Sequence, residues 1–124
     1  MIEKTPYRVI VAGTRSFRNY ALLCASCDKY LSQKSQLHSI VIVSGAARGA
    51  DRMGEQYAHE RGYLIRQYPA DWNNLGKAAG IIRNAEMADN ADALIAFWDG
   101  KSRGTAHMIN TAKKRKLPIR IVMF

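Results

Sequence analysis

The runs Val9-Ile10-Val11 and Ile40-Val41-Ile42-Val43 are apolar without alternation, and this property constrains the fold more than any other. A strand with no polar face must be covered on both sides, as in a parallel sheet between two layers of helices. Similar β-branched or aromatic runs are read as strands at Arg8 to Ala12, Ser39 to Val43, Leu64 to Tyr68, Ala93 to Trp98 and Ile119 to Met123. Segments with helical spacing separate them, at residues 18–34, 50–61, 75–89 and 104–116. Strand and helix therefore alternate along the chain, and right-handed crossovers follow. The expected fold class is α/β: a Rossmann-like, doubly wound parallel sheet of five strands in the order 3-2-1-4-5, with helices on both faces. With 124 residues, 48% of them hydrophobic, positions 1–124 are expected to form one domain around one core.

In such a sheet the crevice between strands 1 and 4, at their C-terminal ends, is the default ligand site. Three polar, glycine-bearing loops follow strands 1, 2 and 4: Gly13-Thr14-Arg15-Ser16, Ser44-Gly45-Ala46-Ala47-Arg48-Gly49-Ala50-Asp51, and Asp99-Gly100-Lys101-Ser102-Arg103-Gly104-Thr105. All three open at the same sheet edge. Glycine lets backbone N–H groups approach an anion, and the helix that follows each loop adds unpaired donors and partial positive charge. Arg15, Arg48, Lys101 and Arg103 strengthen that polarity. Neither G-x-G-x-x-G nor G-x-x-x-x-G-K-[ST] occurs, which weakens ordinary dinucleotide and ATPase readings.

Single residues carry two readings each. Asp51 favours the positive end of its helix or touches a ligand, and Ser102 or Thr105 caps a helix or does the same. Arg83 and Asn84 interrupt the apolar run Ala78-Ala79-Gly80-Ile81-Ile82, where a guanidinium could clamp a phosphate. Trp72, beside Asp71, either stacks on a ring or roofs the core. His107 lies in the first turn of the last helix, within reach of the site, whereas His38 and His59 read as surface residues.

The formal charge of +9 favours anionic partners without naming one. The densest basic run, Lys113 to Lys116, stands where a helix ends and either complements its dipole or forms a nucleic-acid patch, though no interleaved aromatic platform accompanies it. Cys24 and Cys27 lack the second pair of a zinc site and read as apolar helix residues, so neither metal nor cofactor is expected. Met1 to Pro6 is polar and no segment has the apolar length of a bilayer span, so the expected location is cytoplasmic, without a membrane partner.

Val11-Ala12-Gly13-Thr14-Arg15, Ser44 through Asp51, Trp72 with Gly76, Ala79 through Asn84 with Met87, and Asp99-Gly100 through Gly104-Thr105 together resemble the YspA, cpYpsA-related family of the SLOG superfamily. The resemblance spans nearly the whole chain and implies a phage or bacterial origin. It implies a Rossmann-like domain that binds a nucleotide or a nucleotide-derived signal such as ADP-ribose. Some members of the superfamily are phosphoribohydrolases of the Lonely Guy type. They use a helix arginine, which Arg83 resembles, and a glutamate three residues after the Thr of P-G-G-x-G-T-x-x-E. Met108 stands in the place of that glutamate.

Hydrolysis would then require Asp51, Asp71 or Asp99 as a substitute carboxylate. The candidate catalytic residues are Arg83, Asp51 and Asp99. The candidate ligand contacts are Gly13, Thr14, Arg15, Ser16, Ser44, Gly45, Arg48, Gly49, Asp51, Trp72, Arg83, Asn84, Asp99, Gly100, Ser102, Gly104 and Thr105. Binding without turnover, for sensing or sequestering, is the leading expectation, and N-glycosidic hydrolysis or transfer on a nucleoside monophosphate is the alternative. Ser44 to Asp51 is also similar to the S-G-x-A-R-G-I-D stretch of the DNA-processing protein of transformation, which adds single-stranded DNA as a further partner. A strand groove calls for a row of stacking aromatics, and only Trp72 and Trp98 fall near the expected edge. The third helical segment is apolar enough for a homodimer or higher homo-oligomer.

Overall fold

The computed structural model describes residues 4–124; Met1 to Glu3, part of the polar lead, lie outside the described residues. The elements run β1 (Thr5–Gly13), α1 (Tyr20–Leu31), α2 (Lys34–Leu37), β2 (His38–Ser44), α3 (Ala50–Arg61), β3 (Leu64–Gln67), α4 (Trp72–Leu75), a 3-10 turn (Gly76–Ala78), α5 (Ala79–Asp89), β4 (Ala93–Trp98), α6 (Arg103–Lys114) and β5 (Ile119–Met123). The five strands form one sheet in the order β3-β2-β1-β4-β5, every neighbouring pair parallel, which is the expected topology.

The central strands lack alternation because both faces of the sheet are covered. Val9, Val11 and Ile42 pack with Leu23, Cys27 and Leu31 of α1 and Tyr57 and Ala58 of α3. Ile10, Ala12 and Val43 pack on the opposite face with Met87 and Ala88 of α5 and Met108, Ile109 and Ala112 of α6. Cys27 is fully buried, and burial pushes its thiol up to about 12, as the apolar reading of this residue requires. Cover is thinnest at the sheet edge, where all four residues of β3 are exposed. Among the described residues no helix is long and apolar enough to cross a membrane.

Two expected helices are divided. The segment 18–34 yields α1, whose N-terminus is capped by Asn19 accepting from the Leu22 N–H at 3.0 Å, and then the separate turn α2. The segment 75–89 begins earlier than expected and breaks at Gly76, which lies at φ 56, outside the helical region. Trp72 opens a short helical turn ahead of that break, and Asp71 caps the turn. At the far end of α6, Lys113 and Lys114 stand in the last turn, and Arg115 Nε donates to Asp89 Oδ1 at 2.8 Å, tying α6 to α5.

Candidate ligand cleft at the switch point

β1 and β4 are neighbours whose helices leave for opposite faces, and their ends are stitched together by backbone. The Thr14 N–H donates to Phe97 O at 2.9 Å, and Thr14 Oγ1 accepts from the Asp99 N–H at 3.3 Å. A Cβ at Gly13 would stand 2.2 Å from Phe97 O, so the approach of the two strands requires glycine there. The loop after β2 folds against the same place. Ser44 Oγ donates to Glu55 Oε2 at 2.6 Å and accepts from the Ala46 N–H at 3.0 Å, while Ala46 is held at φ 61.

Arg83 reaches this loop from α5. Its Nη1 donates to Gly45 O at 2.6 Å and its Nε donates to Asn84 Oδ1 at 3.1 Å. A Cβ at Gly45 would lie 2.4 Å from that Nη1, so any other residue at 45 displaces the guanidinium. Asn84, nearly fully buried, donates from Nδ2 to Gly104 O at 3.4 Å and to His107 Nδ1 at 3.1 Å, which joins α5 to the first turn of α6. With Nδ1 accepting, a neutral His107 carries its proton on Nε2.

These elements enclose a cleft of about 730 Å³, within the ordinary size range of small-ligand sites. Of the expected contacts, Gly13, Thr14, Arg15 and Ser16 line it from the end of β1 and the loop after it, Asp51 from α3, and Trp72, Arg83 and Asn84 from α4 and α5. Ser102, Gly104 and Thr105 complete it from α6. His107 also lines it, and Met108, in the place of the hydrolase glutamate, forms part of its wall. Ser102 Oγ accepts from the Thr105 N–H at 3.4 Å, and the N–H groups of Arg103 and Gly104 have no intrahelical acceptor.

Gly45 and Arg48 line a smaller adjoining cleft of about 340 Å³, whose wall shares Arg15, Ala47, Trp72 and Arg83 with the larger one. Ser44, Gly49, Asp99 and Gly100 line neither. Ser44 is occupied by Glu55. Gly49 packs against the first loop, where a Cβ would meet Thr14 O at 2.5 Å. Asp99 Oδ1 accepts from the N–H groups of Lys101 and Ser102, both at 2.8 Å, and these bonds, that to Ser102 first, hold its carboxyl below the usual range. Asp71 is spent likewise on the Asn74 N–H and side-chain amide, at 3.3 and 3.0 Å. Sequence reading missed Lys77, Gly80 and Met87 on the cleft wall. Gly80 and Met87 stand three or four residues from Arg83 and Asn84 along α5, which is the signal that finds them, whereas Lys77, in the 3-10 turn before that helix, carries no such spacing.

Asp51 is the one carboxylate in the cleft lining. It is 5% exposed, and burial raises its carboxyl to about 6 against the opposing effects of the Ala47 N–H and Arg83. Arg83 is lowered, first by burial and then by Arg15, with Asp51 acting the other way. Among the described residues no ion pair joins Arg83 to Asp51. The site thus holds a desolvated cation with incomplete compensation, and two of its five N–H donors are bound to protein. Trp72 is half exposed, its indole lying against Gly80 and the Arg15 guanidinium 5.9 Å from the ring centre. Trp98, by contrast, donates from Nε1 to Ser102 O at 3.0 Å.

A five-stranded parallel sheet in this order with its cleft at the switch point is the architecture of Rossmann-like α/β proteins. The chain belongs to the YspA, cpYpsA-related SLOG family, whose sequence profile matches residues 7–74. It is 32% identical over 118 residues to the Gene 61 protein of Mycobacterium phage D29, covering 90% of this chain and 93% of that protein. Among solved structures it resembles DNA processing protein A from Streptococcus pneumoniae (TM-score 0.71, 18% identity), over 94% of this chain and 50% of that one. The corresponding protein from Helicobacter pylori gives a TM-score of 0.67 at 23% identity, over 94% of this chain and 65% of that one. The structural-genomics target TM1055 gives 0.66 at 19% identity, covering 91% and 72%. At these identities the structural likenesses concern the fold, and the chain spans half to two thirds of the DNA processing proteins.

Proposed function

We propose that residues 1–124 act as one nucleotide-binding domain that senses or sequesters a nucleotide or nucleotide-derived ligand in the 730 Å³ cleft. The phosphate is received by the open N–H groups at the start of α6 and by Arg83, with the Gly13 to Arg15 loop closing over it. Trp72 supplies a face for the base. The observation that carries this reading is Arg83: partly buried, lowered by desolvation and, among the described residues, without an ion-pair partner and with donors to spare. An anion completes that arrangement more favourably than water does. Membership of the SLOG family and the fold likeness to DNA processing proteins support a nucleotide-related ligand. A thermal shift screen with AMP, ADP-ribose and cyclic nucleotides tests it, since a ligand bound to the native state raises the melting temperature. No shift at millimolar concentrations overturns it.

A second reading, hydrolysis of an N-glycosidic bond, is favoured by Asp51, a cleft carboxyl raised to about 6 and therefore close to the range of a working acid or base. Asp71 and Asp99 are committed to their own loops and Met108 offers no carboxylate. Release of free adenine from AMP, abolished in Asp51→Asn, is the expected result of that reading. No release between pH 5 and 8 removes it.

Single-stranded DNA binding is named for the Helicobacter pylori protein and remains the third reading, supported by the +9 charge. Its signature is affinity that falls steeply with salt. Trp98 is engaged with Ser102, leaving Trp72 as the one indole on the cleft wall, which disfavours a stacked strand. Leu75, Ile81 and Ile82 are exposed on α4 and α5 and would form the surface for pairing with a second copy.

A further inference from the structure

We infer that the ligand has two anionic parts: a nucleotide unit in the main cleft, linked through phosphate to a second unit held in the adjoining cleft by Arg48. This rests on the nucleotide reading above and deepens it. The adjoining cleft, about 340 Å³, is lined by three arginines, Arg15, Arg48 and Arg83, and by no carboxylate. Among the described residues neither Arg15 nor Arg48 makes an ion pair. A single phosphate at the start of α6 would engage Arg83 and leave Arg15 and Arg48, both exposed, facing solvent.

The two clefts meet at a wall of Arg15, Ala47, Trp72 and Arg83. Arg83, with donors to spare, therefore stands where a linking phosphate would pass from one to the other. Pro69 and Ala70 give the adjoining cleft an apolar side against which a sugar or ring can lie. Ala46 borders this cleft with φ 61, a left-handed conformation that L-residues seldom adopt. Strain of this kind collects where a loop is shaped for a ligand.

A second phosphate-bearing unit can come by a pyrophosphate or by a phosphodiester link, and the experiment separates them. Isothermal titration calorimetry of the intact chain compares AMP, ADP-ribose and the 5′-phosphorylated dinucleotide pdApdA. One two-part ligand is expected to bind at least about tenfold tighter than AMP. Gain with ADP-ribose assigns the pyrophosphate link, and gain with pdApdA the phosphodiester link. In Arg48→Ala that advantage over AMP is expected to shrink about tenfold, and in Arg48→Glu to vanish. Arg48 is exposed, so both variants are expected to fold, with melting temperature as the check. AMP binding with no advantage for either longer ligand overturns this inference alone, as does an Arg48→Ala loss equal for all three. Failure of all three to bind overturns the nucleotide reading and this inference with it.

Discussion

The two ends of α3 carry opposite solutions to one electrostatic problem. At its C-terminal end, Arg61 donates from Nε and Nη2 to the two carboxylate oxygens of Asp28, at 3.1 and 2.8 Å. The guanidinium also lies 4.8 Å from the centre of the Tyr57 ring, and Tyr57 Oη donates to Asp28 Oδ1 at 2.7 Å. This cation and anion hold each other in their charged forms: the bonds raise Arg61 and, Arg61 first, lower Asp28. At the N-terminal end, Asp51 and Arg83 share a loop without an ion pair. Burial acts against the charge of both, raising Asp51 and lowering Arg83. The first arrangement is closed and needs nothing more, whereas the second stays open to an added anion. Perturbed groups of the second kind collect at functional sites.

The largest expected effect breaks the open end. Arg83→Ala should weaken binding of whichever nucleotide shifts the melting temperature by about 100-fold, near the upper value of about 3 kcal/mol for a charged hydrogen bond. Its folding stability should change by less than about 1 kcal/mol, because relief of desolvation offsets the lost bond to Gly45 O. Calorimetry and urea denaturation of the same variant measure the two quantities, and a large stability loss with unchanged affinity would reverse the comparison.

A pH effect is comparable in size. The folded-state value of Asp51, about 6, lies above its ordinary 3.8, so its burial costs stability in full above pH 6 and the cost fades as pH falls toward 4. Asp51→Asn, which keeps an acceptor for the Ala47 N–H, should be more stable than the natural chain by about 3 kcal/mol at pH 7. The gap should close by pH 4. Asp28 has the opposite sign: lowered in the folded state, it stabilises above pH 3.8, and that contribution disappears as pH drops through its folded value. A stability gap for Asp51→Asn that does not depend on pH would sink this assignment.

Smaller again is Gly45→Ala, whose Cβ would collide with Arg83 Nη1. Displacement of the guanidinium should lower nucleotide affinity about tenfold, a loss of roughly 1.4 kcal/mol, and a crystal structure of the variant would show Arg83 moved. Smallest is Arg61→Ala. Its pair with Asp28 is partly solvated, with side-chain exposures of 34% and 48%, so about 1 kcal/mol of stability is at stake. Nucleotide affinity should not change, and a calorimetric titration showing otherwise would join the two ends of α3 into one unit.

Much of this was legible from the chain. β4 and β5 have their expected bounds, and the strand order follows from strand–helix alternation and crossover handedness. The convergence of three glycine loops was readable for the same reason. So was the oddity of Arg83 and Asn84, since polar residues inside an apolar helix run require a partner. The fate of the carboxylates was hidden. Asp51, Asp71 and Asp99 have similar chemistry in sequence, yet two of them accept from N–H groups within three residues and only Asp51 lines the cleft. An Asp at the approach to a helix, with N–H groups two or three residues on, is the local sign of such bonds. Glu55, which fastens Ser44, gave no such sign, because its partner lies eleven residues away across a turn.

Sequence by itself therefore determined what depends on short-range periodicity: the alternation of elements, the burial of both faces of the central strands, and the chirality that orders them. Tertiary structure decided which donors and charges remain free. A side chain's local pattern sets which element it belongs to and which way it faces. Whether its charge is answered depends on groups distant in the chain, as Gly45 meets Arg83 across 38 positions, and on how much water their packing removes.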